Sequence, residues 1–237
     1  MAVDINTVYQ SVLAIANKEQ RGYITPQEFN LFANQAQMKI FEQYFYDVNQ
    51  FSRVPGNDTG IGDMLSMLAE KIAEFEVHGT SVGSGTTLPT DLYKIMDLYY
   101  TDASSDIYPL QRITKKEVFE YRLSKLPIVS STKPVYIQNS TGVICYSALS
   151  KSASTAITSG VAINYIKKPA SATWGYNVIV GQALYNSAAS TDFELHPSEE
   201  TSLVNEILEL AGIMMEKPGL VNIANAEEDK KVQQEKS

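Results

Sequence analysis

Apolar positions recur at helical spacing through the first third of the chain, alternate through the middle, and return to helical spacing near the end. The clearest element begins at Ile24-Thr25-Pro26-Gln27-Glu28-Phe29. Thr25 fits a helix N-cap, Pro26 fits the first helical turn, and Glu28 completes a T-x-x-E capping box. Ile24 and Phe29 have the spacing of a hydrophobic staple. Phe29, Phe32, Ala33, Ala36, Ile40, Tyr44, Phe45 and Val48 then form a helical stripe. The other side carries Asn30, Asn34, Gln35, Gln37, Lys39, Glu42 and Gln43, an amide-rich face suited to a partner surface.

An earlier helix, capped by Asp4 or Asn6, is expected to bury Ile5, Val8, Tyr9, Val12, Leu13 and Ala16. A third follows the break at Pro55-Gly56-Asn57-Asp58, with Ile61, Met64, Leu65, Leu68, Ile72 and Phe75 on its apolar side. The small residues from Gly79 to Gly85 read as the loop that ends it. Strands are expected from Tyr93 to Tyr100, Ile107 to Ile113, Val161 to Ile166 and Asn177 to Leu184. Pro134–Gln138 and Val143–Ser147 flank Asn139-Ser140-Thr141-Gly142 and read as a hairpin. Thr114-Lys115-Lys116-Glu117 is a second capping box, and predicts a short helical turn. His196-Pro197-Ser198-Glu199 opens a last helix, with Leu203, Val204, Ile207, Leu208, Ala211, Met214 and Met215 on its stripe and Lys217-Pro218-Gly219 as its stop.

Helices at both ends with strands between predict an α+β fold: a helical bundle from the N- and C-terminal helices with an inserted antiparallel β subdomain. The boundaries read as N-terminal helices at 1–79, a β-rich insertion at 80–193, a C-terminal helix packing on the first helices at 194–226, and a tail at 227–237. The tail lacks an apolar face, so its order must come from a neighbour. Its charged residues Glu227, Glu228, Lys230 and Lys231 are candidate contacts there.

At 237 residues the chain is long enough to bury a substantial core. A net charge of -8 argues against a general nucleic-acid surface, which requires a basic face. Cys145 is the sole cysteine, which excludes an intrachain disulfide and a cysteine-based metal cluster, and its apolar neighbours make it a small core residue. There is no run of about 18 apolar residues, so no membrane span is expected. The first six residues lack the basic-then-apolar order of a secretion signal, which predicts assembly in a cytoplasm.

Chemistry is hard to find. His78 and His196 have no partners at metal-ligand spacing, and His196 fits a helix start. Neither nucleotide-binding glycine motif is present, and no G-x-S-x-G elbow appears. Glu199 and Glu200 lie at a helix start, where they are expected to face solvent. The chain is therefore expected not to be an enzyme, and to need no metal or cofactor. Its many tyrosines suit core edges and subunit interfaces better than stacking on bases. Trp174, in a small-residue loop, is either an interface anchor or a cover over the β core.

The order of Gly-Tyr-Ile-Thr-Pro-Gln-Glu-Phe-Asn (Gly22 to Asn30), Ala-Asn-Gln-Ala-Gln (Ala33 to Gln37), Leu-Pro-Thr-Asp (Leu88 to Asp91), the hairpin from Pro134, Tyr-Ile-Lys-Lys-Pro (Tyr165 to Pro169) and Phe-Glu-Leu-His-Pro-Ser-Glu-Glu (Phe193 to Glu200) carries a resemblance. It resembles the head-to-tail adaptor or ring (connector) proteins of tailed bacteriophages, closest to those of short-tailed, crAss-like phages. The resemblance covers about residues 1 to 226. It implies a structural virion protein at the head-tail junction, assembled in the host cytoplasm. Copies would form a homo-oligomeric ring, commonly a dodecamer of about twelve subunits. The ring would dock below the portal protein, contact tail or further ring proteins, and extend the channel for genomic DNA. DNA would pass through the lumen without sequence-specific binding, and an acidic wall would let it slide. The C-terminal segment would reach toward the portal, and no catalytic residue carries over. Candidate interface residues are Asn30, Asn34, Gln37, Trp174 and the tail charges. The alternatives are a ligand- or glycan-binding module with a β recognition region, and a hydrolase with a polar cluster in a pocket.

Overall fold

The computed structural model describes residues 2–18, 24–51, 60–82, 87–123, 129–140, 142–151 and 153–214. The fold is mixed α+β, and its contacts separate into two compact units. One joins Met1–Glu74 with Pro169–Ser237, and the other is Phe75–Lys168.

The first unit is organised by α1 (Ile5–Lys18), α2 (Pro26–Phe51), α3 (Gly60–Ala73) and α5 (Glu200–Met214). Asp4 caps α1: its carboxylate accepts from the backbone N–H groups of Asn6 at 3.2 Å and Thr7 at 3.1 Å. The hydroxyl of Thr7 adds a bond of 2.6 Å and helps hold the Asp4 carboxyl below its ordinary range. Asn6 is thereby free for another role. The α2 box closes as its sequence predicts. The Thr25 hydroxyl accepts from the Glu28 N–H at 3.3 Å, and the Glu28 carboxylate accepts from the Thr25 N–H at 2.9 Å. The Thr25 N–H and hydroxyl, both donating to the Glu28 carboxylate, hold it below its usual pKa.

The stripe on α2 buries Phe29, Phe32, Ala33, Ala36, Ile40 and Tyr44, and adds Phe41, which the sequence pattern had left out. Phe45 and Val48 are only partly buried. Both α1 and α2 pack on α5, which contributes Leu203, Val204, Ile207, Leu208 and Ala211, and α3 packs on α2. Each fully buried large apolar side chain contributes about 1.5–3 kcal/mol relative to exposure.

The second unit contains two four-stranded sheets. One has the order β1 (Glu76–Ser81), β8 (Val161–Lys167), β2 (Leu92–Thr101), β3 (Ile107–Pro109), all antiparallel. The other runs β4 (Gln111–Arg112), β5 (Val135–Asn139), β6 (Gly142–Leu149), β7 (Ser154–Ile157), with only β4 and β5 parallel. Alternation along β5 and β6 explains how both faces of this sheet are covered. Tyr136, Val143 and Cys145 join Leu98, Val161, Ile163 and Tyr165 of the first sheet in one core. Val135, Ile137 and Leu149 join Ile113 and Val118 in a second core, Val118 coming from α4 (Lys115–Leu123). The Thr114–Glu117 box starts α4, with the Glu117 N–H donating to the Thr114 hydroxyl at 3.3 Å. Cys145 is buried, as its neighbours suggested, and burial raises its thiol pKa to about 11.

Several expected boundaries move. The stretch after α3 is strand β1 rather than loop, and Gly79 takes φ 70° where the β1–β8 register shifts. The Ile107–Ile113 segment divides between the two sheets, because Leu110 turns into the core between β3 and β4. The β-rich segment expected at 80–193 corresponds to a compact unit at 75–168, and residues 169–193 group with the helices. The expected strand at 177–184 is a hairpin, β9 (Tyr176–Ile179) and β10 (Gln182–Tyr185).

Candidate functional site

The amide face of α2 is occupied by the chain's own backbone. Asn30, Asn34 and Gln37 follow one another at i, i+4 and i+7, one side of a helix. They meet alternate residues of an extended strap running antiparallel to α2. Asn30 accepts from the Trp174 N–H at 2.7 Å and donates to its carbonyl at 3.3 Å. Asn34 donates to the Ala172 carbonyl at 2.8 Å. Gln37 donates to the Ala170 carbonyl at 2.7 Å and accepts from the Glu194 N–H at 3.2 Å. The Glu194 carboxylate in turn accepts from the Ala170 N–H at 2.9 Å. The match is geometric: helix rise over four or three residues is about 6 or 4.5 Å, and two extended residues span about 6.6 Å. Gln37 is 2% exposed, so its buried amide pairs with the chain's own backbone. Asn30, Asn34 and Gln37, expected as partner-facing residues, are here bonded to the chain's own strap. A local pattern showed their shared face, and the strap that covers it lies more than 130 residues away.

Trp174 ends the strap and is buried in the first unit. Its ring lies 4.1 Å from Tyr9 of α1, and its indole N–H donates to Asn6 at 3.2 Å. Tyr9 continues edge-to-face onto Phe29 at 4.8 Å. In the other direction Trp174 packs on Tyr176 at 5.8 Å and Tyr185 at 5.7 Å, the paired residues at the base of β9–β10. Trp174 is thus a mount that fixes the hairpin to the helical unit, instead of a cover over the β core. Gly175 is needed at the corner, since a Cβ there would come within 2.5 Å of the Ala189 backbone.

Away from that base the hairpin is exposed. Val178, Ile179 and Leu184 are exposed large apolar side chains, and Val180 at the tip is 98% exposed. The two-residue turn Val180-Gly181 has φ of 53° and 78°, the positive values of a type I′ connection. The two strands pair only with each other among the described residues. Apolar exposure on both strands and at the turn makes this the candidate interaction surface.

The opening of α5 departs from expectation. His196 caps a short 3₁₀ turn, its Nδ1 accepting from the Ser198 N–H at 3.2 Å. Glu200 is exposed, but Glu199 is 3% exposed and bonds Lys71 of α3 at 2.6 Å. The Lys71 ammonium also lies 5.6 Å from the centre of the Tyr44 ring. One cation therefore joins α3, α2 and the start of α5. The turn at Pro197 rotates Glu199 inward while Glu200 points out, a distinction the adjacent pair of carboxylates does not show in sequence. On the other side of α2, Lys39 bonds Glu206 at 2.8 Å and Glu209 at 3.3 Å, both on α5.

Among the described residues no group of three His, Cys, Asp or Glu side chains is placed to hold a metal ion, and no helix is long and apolar enough to cross a membrane. Glu227, Glu228, Lys230 and Lys231 lie outside the described residues. The chain matches no protein-family model and no curated protein.

Proposed function

We propose that this chain is a structural subunit of a homo-oligomeric ring at the head-tail junction of a short-tailed, crAss-like phage, docked beneath the portal protein. The resemblance in motif order suggests the assembly. The observation that carries the reading furthest is the exposed hairpin on its aromatic mount. An apolar hairpin held by Trp174, Tyr176 and Tyr185 is equipped for contact with protein. The strap on α2 supports this role by making the mount rigid: Asn30, Asn34 and Gln37 fix alternate residues of the chain leading to Trp174. In the ring the subunit extends the channel for genomic DNA and joins capsid to tail or further ring proteins. Mass analysis of purified particles tests it. A ring subunit is present at about twelve copies per particle. Particles that lack the chain, or that carry it as a monomer, refute the proposal.

A further inference from the structure

Among the described residues large apolar side chains are exposed at scattered positions such as Leu31, Tyr46, Met67 and Ile107, and in two places they are grouped. The first is the distal hairpin with Val180 at its tip. The second lies on α4 of the other unit, where Phe119 and Leu123 are both exposed and one helical turn apart. Single exposed apolar residues are ordinary, so the case rests on what accompanies these two sets.

Val180 is a β-branched residue at φ 53°, in the left-handed region. That backbone conformation is a steric outlier for valine, and two-residue turns of this type favour Asn or Gly. Neither backbone preference nor contact with water favours valine at this position. A residue held against both is a candidate contact residue.

Charge identifies what it contacts. Residues 169–191 contain no Asp, Glu, Lys or Arg. The unit Phe75–Lys168 carries 10 Lys and Arg against 7 Asp and Glu, a net of +3; the rest of the chain carries 9 against 20, a net of -11. Copies of a chain with net charge -8 repel unless contact brings opposite signs together and keeps charge out of the centre. The first condition holds when the hairpin's unit of one copy meets the +3 unit of another, and the uncharged hairpin meets the second on its own side of the contact. On α4, Lys115, Lys116 and Arg122 accompany Phe119 and Leu123 and outnumber Glu117 and Glu120; Lys116 is within 3.9 Å of Glu120.

We propose that the β9–β10 hairpin of one copy docks on the α4 face of a second copy, with Val180 against Phe119 and Leu123. This rests on the ring reading and names its subunit contact. The two surfaces differ, so the contact is heterologous: it repeats from copy to copy, as the subunit contact of a ring does.

Photo-cross-linking tests it. A benzophenone amino acid replaces Val180 in the full-length chain, and isotopically heavy and light chains are mixed, both free at rising concentration and in assembled particles. The expected product joins a heavy to a light chain, between the hairpin tip and residues 115–123. Phe119→Ser with Leu123→Ser lowers the yield of that product about tenfold or more, with an unchanged near-ultraviolet circular dichroism spectrum. Cross-links confined to one chain, or between two hairpin tips, overturn the proposal. So does binding of duplex DNA by α4 with no cross-link between copies. If the chain sediments as an oligomer but cross-links elsewhere, the docking surface is wrong and the ring reading stands. If it is monomeric both free and in particles, both fall.

Discussion

Two hairpins of similar composition have opposite fates in this molecule. β5–β6 and β9–β10 both combine Tyr, Val and Ile with a turn containing glycine. The first is flanked by β4 and β7 and has a core on each face. The second pairs only with itself among the described residues, and is held at its base by Trp174. An isolated two-stranded hairpin is marginal in water, so β9–β10 depends on its mount in a way that β5–β6 does not. Apolar content therefore identifies strands without saying whether another part of the same chain covers them.

The contrast breaks most visibly under charge insertion. Val143→Asp places an unpaired carboxylate at a site with 0% exposure and is expected to cost about 4 kcal/mol, enough to unfold a marginal domain. Val180→Asp should change the stability of the free subunit by no more than about 0.5 kcal/mol. Thermal melting of the two variants measures both, and equal losses would contradict the contrast.

Removing the mount ranks next. Trp174→Ala should cost about 3 kcal/mol through lost packing on Tyr9, Tyr176 and Tyr185. Hydrogen exchange in 176–185 should accelerate while exchange in β5–β6 stays slow. Protection retained in β9–β10 would show that the hairpin is stable by itself.

Thiol chemistry sharpens the comparison without disturbing either core. Cys145 has its pKa raised from an ordinary 9.0 to about 11, because burial disfavours the thiolate. At neutral pH its thiolate fraction is about a hundredfold below that of an exposed thiol, and it grows as pH rises toward that pKa. A second thiol introduced by Val180→Cys should react with a disulfide reagent at least that much faster than Cys145. Similar rates would place Cys145 in contact with solvent.

The strap should give a smaller effect. Gln37→Ala leaves the Ala170 carbonyl and the Glu194 N–H without their side-chain partner, at a cost of about 2 kcal/mol. A denaturant titration that finds no loss would mean that water replaces both bonds. Smallest is Val180→Asn, which relieves the left-handed valine and should stabilise the free subunit by somewhat under 1 kcal/mol. The same change should weaken association between copies. Sedimentation reads the association and chemical denaturation reads the stability. Destabilisation would remove the argument that Val180 is strained.

The sequence by itself determined the features whose partners are near in the chain. The capping boxes at Thr25 and Thr114, the β5–β6 hairpin, the His196 cap and the burial of Cys145 follow from bonds or alternation within a few residues. It also marked Asn30, Asn34 and Gln37 as one helical face, because a period of 3.6 residues is a local property. Only tertiary structure decided that the strap at 170–174 covers that face, that Glu199 turns inward to Lys71, and that Trp174 carries a hairpin on its outer side. The physical reason is chain separation. A capping bond forms between residues three apart, whereas the strap and the ion pair join residues 128 to 144 apart. Which distant segments meet depends on the joint packing of every element between them, and no local spacing carries that information.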